Sequence, residues 1–408
     1  MNLVDGRLLS TSECDPVLAG LEERIVATLS KGRLRPDVVI AACDKLANGL
    51  DEADYADVVE SLGAPPALVR QYVAEARELF RAGALRDRLR RELGDGDNTA
   101  PLGTLLHVAA GNMDGLPAFS VLEGLLAGNI NILKLPAQEG GLSVRLLSEL
   151  ISAEPALAEY IYVFDYSSRD LVNLSKLIAV ADAVVVWGGD EAVTAFRSLA
   201  PPNTRLIEWG HKVSFGYATP RGLTDAGLAG FARNIVETGQ GLCSSCQGLF
   251  LDTEDLDDVY ALGQRFAAAL EKEAASVPNS GFAAPTSLEL YTAQLELPRT
   301  GGRVFRGQGV GVIARPDRFL EVAPAPRAPW VKALPQAEIV RVLHPHKNHL
   351  QTVGLLCADD ERAELERLFF ATGVVRVTTG ERMSLAAPDL PHDGEYPLRR
   401  YVKVVSVL

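Results

Sequence analysis

Between residues 102 and 209 the sequence alternates apolar segments of strand length with amphipathic segments of helix length. The clearest strand-length segments are LGTLLHVAAGN (102–112), NINILKLP (129–136), IYVFDY (161–166) and AVVVWGG (183–189). Strands that are apolar on both faces are typical of a parallel sheet covered by helices on either side. The alternation therefore predicts an α/β fold with a doubly wound parallel sheet, in which ligands bind beyond the carboxyl ends of the strands.

At 408 residues the chain is too long for one core, and changes of pattern divide it into four regions. Residues 1–100 are predicted to be a helical region packed on the next domain, and residues 101–225 a Rossmann-like domain. Residues 226–375 are predicted to form a second α/β domain. Within it, AEIVRVLH (337–344) reads as part of a β-rich stretch. Residues 376–408 predict extended strands that pack on the chain itself or join it to a second subunit, in a homodimer or higher homo-oligomer.

The net charge argues against some classes of binding partner, and the cysteine content bears on the cellular compartment. A net charge of −13 without a visible basic stripe argues against binding to nucleic acid or to an anionic membrane surface. No apolar stretch reaches the roughly 20 residues that span a bilayer, and the N-terminus lacks a signal-peptide pattern. Five scattered cysteines are not a disulfide framework. These features predict a cytoplasmic protein.

The segment TGQGLCSSC (238–246) sets the thiol of Cys243 directly after a glycine-containing turn. A cysteine is a useful nucleophile only as a thiolate, and a helix end or backbone donors nearby can lower its pKa. Two other interpretations remain open at this point. One is a buried structural cysteine. The other is a CxxC pair of Cys243 with Cys246, although the sequence lacks the further ligands of a zinc site, so no metal is predicted.

Two residues upstream are candidates for catalysis. Asn112 follows a predicted strand, where an amide N–H can point at a developing oxyanion, although an Asx turn or a helix cap is an equally good explanation. Glu208 ends the strand RLIE, and a carboxylate that enters an apolar site can act as a base. The alternative for Glu208 is an ordinary surface position at the end of a strand.

Three further residues are candidates for binding a dinucleotide. Lys134 ends a predicted strand at the carboxyl edge of the sheet, where it either binds a ligand or is merely solvated. Gly188 and Gly189 separate the strand AVVVW from a helix whose N-terminus could receive a pyrophosphate. A simple tight turn explains the two glycines as well.

These residues lie in segments that resemble the aldehyde dehydrogenase superfamily and, within it, the LuxC-type fatty acyl-CoA reductases. The segments that carry the resemblance are GNMDGLPAFSVLEGLLAGNINILKLP (111–136), VVVWGGDEAV (184–193), EWGHKVSFG (208–216), CSSCQ (243–247), LQTVGL (350–355) and PHDGEYPL (391–398). They extend over about three quarters of the chain. The resemblance implies an aldehyde-dehydrogenase-like fold, with a cofactor-binding sheet, an α/β catalytic domain and a β oligomerisation arm.

The resemblance also implies roles for individual residues. Cys243 matches the acylated nucleophile, Asn112 the oxyanion-hole asparagine, and Glu208 the position of the superfamily's general base. Lys134 matches the lysine that contacts the adenosine ribose or its 2′-phosphate. Cys246 departs from the family pattern, which has a proline there.

For the cofactor, the segment that contains Trp187, Gly188 and Gly189 matches the turn near the pyrophosphate. The implied cofactor is NADPH, with NADH as the alternative.

The implied activity is the NADPH-dependent reduction of an acyl thioester to an aldehyde through an acyl-cysteine. Acyl-CoA or an acyl group on a carrier protein would be the donor. One alternative is an NAD(P)⁺-dependent aldehyde dehydrogenase that releases free acid, and another is a non-catalytic scaffold with the same fold.

Overall fold

The structure, a computed structural model, describes residues 1–49, 74–94, 98–109, 115–137, 141–277, 283–385, 387 and 389–406. The chain forms two compact units, one of Met1–Gly210 with Ala386–Leu408 and one of His211–Leu385. We call them the first and second units. The sequence pattern predicted boundaries at 225/226 and 375/376. The observed boundary comes earlier because Val213–Ala218 pairs with strands of the second unit.

The first unit contains a sheet whose central strands are parallel. Its strands are β1 (Asn2–Val4), β2 (Arg7–Leu9), β4 (Thr104–Val108), β5 (Ile130–Lys134), β6 (Ile161–Phe164), β7 (Ala183–Trp187) and β8 (Arg205–Trp209), with β3 (Thr99–Pro101) outside this sheet. The order is β2-β1-β6-β5-β4-β7-β8. The chain moves outward from β4 in one direction and then returns to continue from β7 in the other. This is the doubly wound arrangement that the alternation predicts.

Helices cover both faces of this sheet because alternate strand residues point to opposite sides. The helices are α1 (Thr11–Ala19), α2 (Leu21–Ser30), α3 (Pro36–Gly49), α4 (Ala82–Leu93), α5 (Leu116–Leu126), α6 (Leu142–Ala153), α7 (Leu171–Ala179) and α8 (Asp190–Leu199). Leu105, Leu133 and Val185 belong to one core cluster. Leu106, Ile132 and Val184 belong to the other. The hairpin β1–β2 at the sheet edge was not predicted. The helical pattern expected over residues 50–73 lies outside the described residues.

The second unit contains another mostly parallel sheet. Its strands are β9 (Val213–Ala218), β10 (Cys246–Leu251), β11 (Arg303–Gly307), β12 (Val310–Ala314), β13 (Trp330–Ala333), β14 (Leu350–Leu356) and β15 (Arg376–Thr378). The order is β11-β12-β13-β10-β9-β14-β15, with β11 antiparallel to β12 and the other pairs parallel. Strands β9, β10 and β14 therefore lie side by side with their amino ends at one edge.

Helices pack on both faces of the second sheet as well. They are α9 (Asp225–Thr238), α10 (Leu256–Ala274), α11 (Ala283–Glu296), α12 (Ile339–Leu343) and α13 (Asp359–Thr372). The β prediction for 337–344 is wrong, because Ile339–Leu343 is helical. Ile339 and Leu343, four residues apart, are both buried, so the apolar pattern fits one face of a helix turn. Short 3₁₀ turns occur at Pro155–Tyr160, Leu297–Thr300, Gln336–Glu338, His344–His346 and Gly380–Arg382. None of the helices in the described ranges is both long and apolar enough to cross a membrane.

The last segment of the chain packs in the first unit. It contains the short helix α14 (Pro397–Arg400) and the strand β16 (Val402–Val404), which pairs antiparallel with β3. Leu398 and Tyr401 are fully buried in the core, and the backbone N–H of Leu398 donates to Glu92. The apolar tail is therefore covered by its own chain at these residues, and its proposed role in oligomerisation stays a prediction.

A chain of buried polar groups crosses the first unit beside this tail. The His107 ring hydrogen bonds through Nδ1 to the Ser120 hydroxyl at 2.7 Å and through Nε2 to Asn131 Oδ1 at 3.0 Å. The Trp187 indole N–H donates to the same Ser120 oxygen at 2.9 Å. Because Asn131 Oδ1 only accepts, Nε2 carries the proton and Nδ1 accepts from Ser120. The network thus requires a neutral imidazole.

We expect this histidine to make the first unit sensitive to acid. Burial lowers the pKa of His107 to about 4, so the unfolded chain takes up the proton first as the pH falls below the ordinary value of about 6.5. The contribution of the neutral histidine to the free energy of unfolding is fully present above pH 6.5. It is lost as the pH falls to 4, and the loss amounts to about 3 kcal/mol at most. The measurement is urea unfolding between pH 7 and pH 4, followed by tryptophan fluorescence. In His107→Gln, which cannot titrate, the loss should be clearly smaller; an equal loss would contradict the assignment.

Candidate active site

The two cysteines of the CSSC segment have opposite environments. Cys243 is exposed, whereas Cys246 is completely buried at the start of β10. Burial raises the pKa of Cys246 to about 12, and its thiol donates to the carbonyl of Gly248. Cys246 is therefore a packed, protonated thiol. The buried structural role that remained open for Cys243 belongs to Cys246 instead.

The loop that presents Cys243 is held by amides on both sides. Gly239, which caps helix α9 after Thr238, is left-handed with φ of 56°, and Gln240 is also left-handed with φ of 59°. The Gln240 side chain donates to the carbonyl of Cys246 at 2.9 Å, and the amide of Gln247 donates to the carbonyl of Gln240 at 3.1 Å. The Asn234 side chain accepts from the backbone N–H of Cys246 at 2.9 Å. Two successive residues of this turn are left-handed, and glycine adopts that conformation without steric strain. This explains why the first glycine of TGQG stands at position 239.

Two residues from neighbouring strands reach Cys243 itself. Gln351 Nε2 donates to Cys243 Sγ at 3.2 Å, and the Ser214 hydroxyl donates to the Cys243 carbonyl oxygen at 2.7 Å. Ser214 lies near the amino end of β9 and Gln351 near the amino end of β14. Neither was predicted as a site residue, although both occur in segments that carry the family resemblance. The only signal available was a polar residue at the start of an otherwise apolar strand.

Lys134 is the last residue of β5 and is buried rather than solvated. Its Nζ donates to the Ser168 hydroxyl at 2.7 Å. Burial lowers the pKa of Lys134, and nearby Asp165 acts in the opposite direction. A cation kept at the carboxyl edge of a parallel sheet beside a hydroxyl suits an anionic or polyhydroxylated ligand.

Trp187, Gly188 and Gly189 form the turn between β7 and α8. Trp187 is buried, with its ring stacked on Trp209 at 5.4 Å, and its N–H is used inside the unit. The first turn of α8 carries Asp190 and Glu191, whose negative charges oppose a phosphate at this helix N-terminus. The turn thus fits a pyrophosphate less well than the bare glycine pattern predicts.

Glu208 lies in β8, paired in parallel with β7. Its two carboxylate oxygens accept from Nε and Nη2 of Arg197 at 2.5 and 2.7 Å, in a bidentate ion pair. A carboxylate held in this way has both oxygens engaged. Glu208 is therefore a carboxylate near the surface that is held in place by a bidentate ion pair with Arg197.

The candidates are divided between the two units. Lys134, Trp187, Gly188, Gly189 and Glu208 lie at or near the carboxyl ends of strands in the first unit, and Cys243 lies in the second. Asn112 lies outside the described residues.

Among known proteins, the chain is 24% identical over 315 residues to a protein from Aliivibrio fischeri named long-chain acyl-protein thioester reductase. The match covers 75% of this chain but 64% of that protein, so the chain spans less than two thirds of its relative's length.

The fold is similar to solved aldehyde dehydrogenases. An NAD-dependent aldehyde dehydrogenase from Sinorhizobium meliloti superposes with a TM-score of 0.76 and 15% identity, over 99% of this chain and 93% of that one. The glyceraldehyde-3-phosphate dehydrogenase GapN from Methanocaldococcus jannaschii, complexed with NADP, gives 0.70 and 10% identity, over 98% and 94%. These likenesses confirm the predicted aldehyde-dehydrogenase-like α/β fold. A family model described as acyl-CoA reductase (LuxC) matches residues 35–404, and the chain therefore belongs to this family, as the resemblance implies.

Proposed function

We propose that the protein reduces an acyl thioester to an aldehyde, with NADPH as reductant and Cys243 as the acylated nucleophile. The observation that carries the proposal is the exposed Cys243 thiol, with an amide N–H donated to its sulfur, in a chain of the LuxC family. The buried, protonated Cys246 is unsuited to the same task. The name of the Aliivibrio fischeri relative supports an acyl-protein thioester as donor, and acyl-CoA is the second donor we propose.

The first half-reaction transfers the acyl group to the protein. The Cys243 thiolate attacks the carbonyl carbon of the donor thioester, a bond from Sγ to carbon forms, and the donor sulfur leaves as a thiolate with the electrons of the broken C–S bond. The backbone N–H of Cys243 and the amide of Asn112 would stabilise the oxyanion, and losing one such donor typically costs about 10²–10³ in rate. Because one thioester replaces another, this step is close to isoenergetic.

The second half-reaction releases the aldehyde. The acyl carbon of the Cys243 thioester would accept a hydride, which is the chemistry that NADPH would supply when bound. Cys243 then leaves as a thiolate when the thiohemiacetal collapses. Acyl thioester, NADPH and one proton thus give aldehyde, free thiol and NADP⁺.

Lys134 and Ser168 fit a nicotinamide dinucleotide. The buried ammonium and the hydroxyl, 2.7 Å apart, offer hydrogen-bond donors to a ribose or its 2′-phosphate, so they suit NADPH and NADH alike. The choice of NADPH follows from the family and the reductive direction. A pyrophosphate at the Gly188–Gly189 turn would have to lie away from the negative charges of Asp190 and Glu191. Trp187, with its N–H donated to Ser120, would act there by fixing the turn.

The clamp on Glu208 is consistent with an aldehyde product. A base that activates water would hydrolyse the acyl-enzyme to free acid, and Arg197 occupies both carboxylate oxygens of Glu208. We therefore propose that Glu208 does not act as a water-activating base while this ion pair is intact.

The function is tested by supplying NADPH with long-chain acyl-CoA in one reaction and with an acyl group on a protein thiol in another. We expect one aldehyde per NADPH consumed. With aldehyde, oxidised cofactor and no thiol acceptor, steady production of free acid would favour an ordinary aldehyde dehydrogenase. No cofactor binding by fluorescence quenching would favour the scaffold alternative.

We expect Lys134→Met to weaken NADPH binding selectively. Loss of the ammonium should raise the KM for NADPH by about tenfold, the effect of one charge-assisted contact, and raise the KM for NADH less. Steady-state kinetics with both cofactors make the measurement, and Ser168→Ala is the milder control. An equal change for the two cofactors would place the lysine away from the 2′-phosphate.

A further inference from the structure

We infer that Gln351 is a catalytic residue whose side-chain amide stabilises the negative charge on the Cys243 sulfur. The inference rests on the proposed function for its role in turnover, but its structural basis is independent of substrate and cofactor. The amide nitrogen Nε2 lies 3.2 Å from Sγ and donates a hydrogen bond to it, a short distance for a donor to sulfur. Gln351 is only 6% exposed, so little water competes for this amide.

A local irregularity in the sheet directs Gln351 towards the sulfur. Along the β9–β14 pair, Leu350 lies opposite Val213 and Val353 opposite Phe215, so that Gln351 and Thr352 together face Ser214. Two residues opposite one form a β-bulge, which re-aims side chains. The bulge brings both Gln351 and Thr352 within hydrogen-bond distance of Ser214, and it is therefore part of the site.

Ser214 fixes the bulge to the nucleophile. Its oxygen accepts the backbone N–H of Thr352 at 3.1 Å and donates its own proton to the Cys243 carbonyl at 2.7 Å. The orientation of the Gln351 amide follows from its oxygen, which is within 3.4 Å of the Thr352 hydroxyl, a donor. With the oxygen on that side, the NH₂ group faces the sulfur.

The Gln351 amide can stabilise negative charge on the Cys243 sulfur in both half-reactions. A hydrogen bond to the charged form of a group favours that form, so the amide raises the fraction of Cys243 present as thiolate before attack. When the thiohemiacetal collapses, the C–S electrons return to sulfur, and the same N–H stabilises the departing thiolate. In the acyl-enzyme the sulfur is a neutral thioester and a poor acceptor. The amide therefore acts selectively on the charged states.

The test is the pH dependence of alkylation at Cys243 in the full chain without acyl donor or cofactor. Iodoacetamide is the probe, and mass spectrometry of the peptide that contains Cys243 separates it from the other cysteines. We expect Gln351→Leu to raise the midpoint by about one pH unit, with alkylation about tenfold slower at pH 7 and restored above the new midpoint. Gln351→Glu, of the same shape, should raise it further because its carboxylate repels the thiolate.

Ser214→Ala tests the bulge, since it removes the contacts to the Cys243 carbonyl and to the Thr352 N–H and leaves the Gln351 amide itself. We expect a lower unfolding temperature and a midpoint shifted in the same direction as in Gln351→Leu, but by less. Unchanged midpoints in both Gln351 variants would overturn the inference and assign Gln351 a merely structural role. If Gln351→Leu does not fold, the isosteric Gln351→Glu decides alone. A shifted midpoint in a protein that makes no aldehyde would refute the proposed function and leave this inference standing.

Discussion

Cys243→Ala is expected to abolish acyl transfer and aldehyde formation, with a loss of at least about 10³-fold, because no other atom forms the covalent intermediate. The exposed thiol can be removed at little cost in stability, so the variant should keep the unfolding temperature of the wild type. The measurement is the acyl mass on the peptide that contains Cys243 after incubation with acyl-CoA and without nicotinamide. Transfer of an acyl group in the variant would reject the proposed nucleophile.

Cys246→Ala is the control within the same segment. Cys246 is buried, with its sulfur donating to a carbonyl two residues away, so its replacement should cost about 1 kcal/mol of stability from the lost packing and hydrogen bond. Acylation and aldehyde production should remain within about threefold of the wild type, a range that corresponds to less than 1 kcal/mol. Loss of acylation in Cys246→Ala with a folded protein would point to CxxC chemistry, which a zinc measurement or a dithiol titration would then identify.

Lys332→Met is expected to produce the largest loss of stability. Lys332 is completely buried in β13, and its ammonium donates to Asp317 Oδ1 at 2.6 Å, to Glu321 Oε1 at 2.6 Å and to the carbonyl of Phe319 at 2.7 Å. Removing one partner of a buried ion pair typically costs about 3–5 kcal/mol. In Lys332→Met, Asp317 loses the ammonium as its partner, and Glu321 keeps only its ion pair with Arg315. Both carboxylates are about a third exposed, so we expect the lower end of this range.

A loss of about 3 kcal/mol should lower the melting temperature of the second unit by roughly 6–12 °C, measured by calorimetry. The matched control is the triple variant Asp317→Asn, Glu321→Gln, Lys332→Met, which removes the stranded charges with the lysine. The triple variant should melt at a higher temperature than Lys332→Met. If it melts at a lower temperature, the hydrogen bonds made by residues 317–321 contribute more to stability than the balance of charges.

The sequence predicts the first sheet well and the boundary of the units poorly, for a physical reason. Strands such as β4 and β7 are mostly apolar and buried on both faces, and that pattern has few solutions other than a covered parallel sheet. Unit membership depends instead on which strand pairs with which. The strand β9 follows β8 closely in the chain but pairs with β10 and β14. Such long-range pairing leaves no local signal.

The candidate site divides in the same way. Cys243 could be singled out because its chemistry is visible in one residue and its turn. Gln351 and Ser214 could not, because their importance comes from a bulge that joins strands 138 residues apart in sequence at the Ser214–Thr352 contact. The buried state of Lys134 and the Arg197 clamp on Glu208 are also tertiary facts, since both depend on partners brought together by the sheet.

The return of residues 389–406 to the first unit makes the core of that unit discontinuous in sequence, whereas the second unit is one uninterrupted stretch, His211–Leu385. Leu398 and Tyr401, which are fully buried in the first unit, follow the whole second unit along the chain. Because synthesis runs from the amino to the carboxyl end and domains generally fold as units, all residues of the second unit are made before those that complete the core of the first. We therefore expect the first unit to reach its native packing only after Leu398 and Tyr401 have been added.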